Sequence, residues 1–188
     1  MKKITIQPNV FLHPMPVVLI GTVVSGKANF MAVGWVSRVN YNPPMIAFSS
    51  GKAHYSNQGI GENKTFSVNI PHAELIEETD YCGMVSGRET DKSKLFTIFY
   101  GDLKNAPMIE ECPVCMECKC TTTVDMATNI LFIGEIVNAY SEERYLTEGK
   151  PDIKKIKPFT LSMPDNNYWA VGEKMADAWS VGKILKKK

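Results

Sequence analysis

Two stretches of this chain carry residue types that hold an anion, and a third carries types that bind metal or exchange electrons. Ser49-Ser50-Gly51-Lys52-Ala53-His54-Tyr55-Ser56 ends a strand-like run and opens a helix-like one. Gly51 permits a close backbone approach and the serines present hydroxyls. Free N–H groups at a helix start can face an anion, and Lys52 adds positive charge. The second stretch, Cys82-Gly83-Met84-Val85-Ser86-Gly87-Arg88-Glu89-Thr90-Asp91-Lys92, is another glycine-containing loop with donors and a nearby lysine. By composition alone, ordinary solvated loops look the same.

The third stretch holds Cys112, Cys115, Cys118 and Cys120 within nine positions. A CxxC pair lets two thiolates converge on one atom or on each other, as in zinc, iron–sulfur and dithiol sites. Against a metal, there is no second, distant CxxC and no nearby histidine. On a strand, Cys118 and Cys120 share one face and Cys115 takes the other, so four ligands cannot converge without a bulge. Core thiols are the favoured reading, with a dithiol or a metal as alternatives. His13, His54 and His72 are scattered and mark no metal site. No GxGxxG follows a strand and no GxxxxGK[ST] loop is present, so neither dinucleotide nor P-loop fingerprints apply.

The elements that must position these loops are mostly strands, marked by β-branched runs between turn residues. The pattern predicts strands over 17–23, 30–37, 45–49, 65–70, 114–124 and 129–137, with a short one at 159–163. A turn is expected at Gly26-Lys27-Ala28-Asn29, and Asn42-Pro43-Pro44 breaks the chain before Met45. Helices are expected over 54–63 and 71–81, and part of 171–184 is expected to be helical. Six or so strands with few crossover helices argue for a closed or nearly closed antiparallel barrel in an all-β, β-rich class. No linker or repeat divides residues 1–188, so one domain is expected.

Of 188 residues, 22% are charged and the formal charge is +1, which gives no reason to expect nucleic acid as a partner. Lys183, Lys186, Lys187 and Lys188 read as a solvated end. The N-terminus lacks an apolar signal region and no apolar run is long enough for a membrane helix, so a cytoplasmic protein is expected. Five cysteines, unevenly spaced, suit a reducing compartment better than a disulfide framework.

Across nearly its whole length the chain resembles the flavin reductase-like, FMN-binding split-barrel family, in its flavoredoxin-like branch. The similarity runs through Pro16-Val17-Val18-Leu19-Ile20-Gly21-Thr22, Asn29-Phe30-Met31-Ala32 and Val39-Asn40-Tyr41-Asn42-Pro43-Pro44-Met45. It continues through Thr65-Phe66-Ser67-Val68-Asn69-Ile70-Pro71, Ser86-Gly87 with Asp91-Lys92, Phe132-Ile133-Gly134-Glu135-Ile136, and Tyr168-Trp169-Ala170-Val171-Gly172-Glu173-Lys174.

The resemblance implies a six-stranded antiparallel Greek-key split β-barrel and a homodimer with FMN near the subunit interface. It implies Asn29, Met31 and Ala32 near the isoalloxazine ring, and Ser49, Gly51, Lys52 and Ser56 on the ribityl-phosphate side. Asn69, Ser86, Gly87 and Lys92 would complete the pocket. Cys82, beside the second loop, is either a further cofactor contact or a buried structural thiol. Trp35, Trp169 and Trp179 read as core or dimer-interface residues rather than substrate platforms, and in a family-like arrangement Trp169 would border the flavin. Many relatives carry Gly-Asp-His where this chain has Ala127-Thr128-Asn129, which favours electron carriage over NAD(P)H oxidation. The expected function is a flavin reductase or flavoredoxin-like oxidoreductase exchanging electrons with a small molecule or a redox protein. The alternative is a non-enzymatic FMN-binding or storage module.

Overall fold

The computed structural model describes residues 1–187; the expected solvated end at Lys188 lies outside the described residues. The principal strands are β1 (Val18–Val24), β2 (Lys27–Val33), β3 (Val36–Asn40), β4 (Met45–Gly51), β5 (Thr65–Ile70), β6 (Val114–Asp125) and β7 (Asn129–Ser141). Helices α1 (Ser56–Asn63) and α2 (Ile76–Met84) fall between β4 and β5 and after β5. The seven strands form one antiparallel sheet in the order β2-β1-β5-β6-β7-β4-β3. Its two edge strands, β2 and β3, are consecutive in the chain. The ribbon leaves one edge and re-enters at the other, which rolls the sheet into a barrel.

Six strands are expected from the sequence and seven are found because the run at 30–37 is broken. Gly34 and Trp35 form the corner, and the Trp35 carbonyl accepts a hydrogen bond from Ser49 N at 2.9 Å. The β1–β2 turn falls at Ser25-Gly26, beginning one residue before the glycine-led turn read from the sequence and ending three residues earlier than it does. Both residues have positive φ, 50° and 76°, the geometry of the two-residue hairpin whose twist matches its strands. That frees Asn29 to sit within β2. A second, small sheet pairs Met15–Pro16 with Phe159–Ser162 and the latter with Asn167–Ala170, a strand absent from the sequence-based expectation. From Val171 the chain end has no regular structure until a turn at 178–180 and a 3-10 helix at Val181–Lys187.

Alternation along the strands separates two cores. Val18, Ile20, Met31, Val33, Ile46, Phe66, Val68, Cys118 and Phe132 point into the barrel around Phe48, and Ile60 of α1 plugs one end. Phe48 packs edge-on to Phe66 at 5.1 Å and stacks on Phe132 at 5.2 Å. Leu19, Phe30, Cys112 and Cys115 face the other way, beneath α2 and the segment that includes Phe96, Met108 and Ile109. Strand β1 is therefore buried on both faces, which its unbroken apolar run allows.

Polar side chains on this outer face hold the cover in place. The Ser67 hydroxyl donates to the Pro107 carbonyl, and Asn69 accepts from Ile109 N at 3.1 Å while donating to the Leu19 carbonyl at 3.0 Å. Glu117 is fully buried and accepts four hydrogen bonds: from Asp102 N, Leu103 N, Asn138 Nδ2 and the Tyr140 hydroxyl, at 3.1, 2.7, 2.6 and 2.7 Å. Burial alone would push its carboxyl pKa up, but these donors outweigh burial and hold it below the usual carboxylate range.

A carboxylate whose folded pKa is depressed contributes stability that is complete above its unfolded value, about 4.3, and is lost as pH falls through the folded one. Glu117→Ala should therefore cost about 3 kcal/mol at pH 7 by stranding buried donors. Urea denaturation should show this gap narrowing as the pH is lowered below about 4; a gap that widens in acid would reverse the assignment.

Candidate functional site

A cavity of about 270 Å³ opens where α1, α2 and the loop after α2 meet β2. Its walls are Asn29, Met31 and Ala32 from β2, Ala53 to Ser56 at the start of α1, Gly83 and Met84 from α2, Val85 to Arg88, and Lys92. The two donor-rich stretches read from the sequence, 49–56 and 82–92, thus contribute walls to one cavity. Met31, Ala32 and Met84 make one side apolar, and the opposite side is donor-rich.

Three contacts shape the polar side. Asn29 Nδ2 donates to the buried Ser56 hydroxyl at 2.7 Å, fixing β2 to α1. Gly87 lies so close to this pair that a Cβ there would meet Asn29 Oδ1 at 2.0 Å and the Tyr55 ring at 2.9 Å. Arg88 donates to the Ala53 carbonyl at 3.1 Å and sits over the Tyr55 ring at 5.3 Å, tying the two loops together.

The ammonium of Lys92 is buried and donates to the carbonyls of Cys82 and Val85 at 3.1 and 3.0 Å. Among the described residues no carboxylate pairs with it. Burial pulls its pKa below the ordinary lysine value, an effect the neighbouring Cys82 thiol partly opposes. Buried positive charge beside a donor-rich wall favours an anionic ligand. His54 also lines the cavity, 3.0 Å from the Ser50 hydroxyl; burial, then the charge of Lys92, lowers its pKa and favours the neutral ring.

Of the residues singled out from the sequence, Asn29, Met31, Ala32, Ser56, Ser86, Gly87 and Lys92 line the cavity. Ser49, Gly51, Lys52, Asn69 and Cys82 do not form its wall. Lys52 pairs with Asp125 at 2.8 Å. Gly51 accepts from Asn57 Nδ2 at 2.7 Å, and Ser49 is held by its backbone to Trp35. Asn69 is spent on the cover, and Cys82 is buried behind the wall, reaching the site through its carbonyl. Sequence reasoning passed over Tyr55 and Arg88 as wall residues, although a cation next to Gly87 and an aromatic beside Ser56 were visible signals.

A family model for the flavin reductase like domain matches residues 10–154. The fold is similar to that of flavoredoxin from Methanosarcina acetivorans, at a TM-score of 0.97 and 56% identity, covering 98% of this chain and 100% of that one. Flavoredoxin of Desulfovibrio vulgaris (Miyazaki F) superposes at a TM-score of 0.90 and 34% identity, covering 97% of this chain and 100% of that one. An FMN-binding protein from Thermus thermophilus shares the fold at a TM-score of 0.81 and 21% identity, covering 94% and 99%.

The cysteine run stands apart from the cavity. Cys118 and Cys120 pack with the barrel interior, and Cys112 and Cys115 pack with Cys82 in the outer core, as strand alternation requires. All five thiols are free, and among the described residues no group of histidine, cysteine and acidic side chains has metal-binding geometry. Cys115 donates to the Ile109 carbonyl at 3.2 Å; burial pushes its pKa up to about 12 and that of Cys82 to about 11. Only Cys120 is part-exposed. Native protein at pH 8 should therefore yield at most one thiol to an aromatic disulfide reagent, and all five after unfolding. Rapid native titration of Cys112 and Cys115 would show that the outer core is open.

Proposed function

The chain belongs to the flavin reductase-like domain family, and from that membership we propose that it carries electrons on FMN held in the cavity between β2, α1 and α2. It is an FMN-binding flavoprotein of the flavin reductase or flavoredoxin type. The observation that carries the placement is the buried, unneutralised Lys92 beside a wall where Gly87 leaves no room for a side chain. Bound FMN supplies a ring that accepts electrons singly or as a hydride. The chain supplies orientation and potential. Met31, Ala32 and Met84 offer an apolar face to a planar ring. Asn29, Ser56, Ser86, Arg88 and Lys92 present donors and positive charge to phosphate and ring oxygens, and preorganised charge of this kind favours a reduced, anionic ring.

Electron carriage is the preferred form of the activity. Ala127-Thr128-Asn129 stands where many relatives carry Gly-Asp-His, and the Thr128 carbonyl there accepts from Lys52 N at 3.0 Å. The electron donor and acceptor are a small molecule or a redox protein.

A homodimer fits the surface of the chain. Its accessible area is 12223 Å², whereas a compact monomer of this mass exposes about 9,000 Å². The excess, about 3,000 Å², is of the size that obligate partners bury. It is concentrated in two arms, residues 1–14 and 171–186, which are exposed throughout, with Met175 at 99% and Trp179 at 95%. Trp35 and Trp169 are also exposed, so none of the three tryptophans is a core residue of the isolated chain and all are available to an interface. No described helix is long and apolar enough to cross a membrane.

Protein reconstituted with FMN and desalted should retain about one flavin per chain. Gly87→Ala should weaken FMN at least tenfold, about 1.4 kcal/mol, with an unchanged circular dichroism spectrum. Full retention by that variant would move the flavin elsewhere. Sedimentation equilibrium should give twice the chain mass, and deleting residues 171–188 should shift it toward the single chain. A full-length protein that stays monomeric at micromolar concentration would refute the dimer.

A further inference from the structure

A cavity of about 560 Å³ lies against the outer core, between the segment holding Thr97 and Phe99, the turn from Glu110 to Cys115, and the end of β7 at Tyr140. It shares no wall residue with the cavity proposed for flavin. Its volume falls in the range that holds a small organic ligand, about 300–1,000 Å³.

The floor is apolar. The Phe99 and Tyr140 rings meet edge to face with centroids 5.7 Å apart, and the Tyr140 hydroxyl donates to buried Glu117, which fixes that ring. Cys112 and Cys115 lie beside them, 5% and 2% exposed. Burial above all keeps both thiols protonated, pushing Cys115 up to about 12 and Cys112 well above the ordinary thiol value. Cys115 donates to the Ile109 carbonyl, whereas the Cys112 thiol has no hydrogen-bond partner among the described residues. A buried, unpartnered thiol beside two rings is a soft, neutral surface suited to a hydrocarbon.

The rim is acidic. Glu110, Glu111 and Glu142 line it against a single cation, Arg144, and no lysine or histidine joins them. Arg144 is already engaged, donating to Glu142 at 2.6 Å and lying 4.7 Å from the centre of the Tyr145 ring. Glu111 accepts from Thr97 N at 2.9 and 3.2 Å, a neutral donor that fixes the carboxylate without cancelling its charge. Glu110 is exposed and has no ion-pair partner among the described residues. Three carboxylates against one guanidinium leave negative charge in excess at the mouth, and a low-dielectric cavity concentrates such a field. Aromatic rings on the floor favour the same sign of ligand, because a ring face attracts a cation.

We propose that this cavity binds a small organic cation: an amine whose hydrocarbon body rests on Phe99, Tyr140 and the two thiols while its ammonium meets Glu110 and Glu142. The site is separate from the flavin and stands independently of the flavin reading.

Calorimetric titration of the full-length protein with phenethylamine, with and without FMN, tests it. Phenethyl alcohol and hydrocinnamate serve as the neutral and anionic counterparts. The amine should bind with a Kd below about 1 mM, the alcohol about tenfold more weakly or worse, and the carboxylate not measurably. Glu110→Gln combined with Glu142→Gln, both at exposed positions, should weaken the amine by about tenfold or more. Glu77→Gln, which removes an exposed carboxylate of α2 outside the cavity, should change the affinity by less than about twofold. FMN should leave the amine's affinity unaltered. Equal binding of amine and alcohol would overturn the proposal, since the rim would then play no part in recognition. Equal losses in the Glu77 variant and the rim variant would overturn it too, by reducing the effect to general surface charge. Competition between the amine and FMN would place the amine in the first cavity and refute the separate site, and so would the absence of saturable binding at millimolar amine. Amine binding as expected in a protein that holds no FMN would uphold this site and defeat the flavin reading alone.

Discussion

Strand β1 has no solvent face, and this constraint shapes what surrounds it. Val18 and Ile20 fill the barrel while Leu19 lies in the outer core, so the strand needs packing from both directions. The inward side is met by closing the sheet. The outward side is met by α2 and the segment up to Ile109, which rest on Leu19 and Phe30. Each buried aliphatic side chain stabilises by about 1.5–3 kcal/mol, so neither layer is dispensable. The cavity is a by-product of this arrangement. It lies where the outer layer stops short of α1, and the partner strand β2 contributes its wall there.

The barrel was largely legible because its signals are local. β-branched runs between turn residues reveal strands wherever a sheet is closed, and the expected boundaries at 65–70 and at the end of α1 coincide with those observed. What escaped depends on three dimensions. The break at Gly34-Trp35 occurs because the ribbon changes partners from β1 to β4, and no local residue pattern announces a change of partner. Ser67 and Asn69 read as the polar half of an alternating strand. They are instead buried under a cover whose backbone they satisfy, and a period of two marks a polar face without saying what lies over it.

The site was legible as two loops, though not as a set of contacts. Glycine with hydroxyls and a lysine drew attention to 49–56 and 82–92, and the fold brings the two loops together. Within each loop, however, chemistry alone cannot rank the cations. Lys52 and Lys92 look equivalent in the sequence, yet Lys52 is paired with Asp125 at the surface and Lys92 is buried with only carbonyls for company. Burial and pairing, both products of tertiary structure, separate a solvated charge from one that can organise a ligand. The cysteine run shows the converse. Strand alternation was enough to separate Cys115 from Cys118 and Cys120, while Cys112 lies before the strand and follows from the fold.

The cover over the outer core is attached in an unusual manner. Ser67, Asn69 and Glu117 grip residues 102–109 by side chain, so much of the attachment lies outside the long ladders that close the barrel. Such a segment can lift as a subglobal unit while the seven strands stay paired, at a free energy below that of global unfolding. Cys112 and Cys115 pack against it. Their exposure to oxidants is then set by how often that flap opens, and their chemical lifetime becomes a property of one local equilibrium rather than of the fold as a whole.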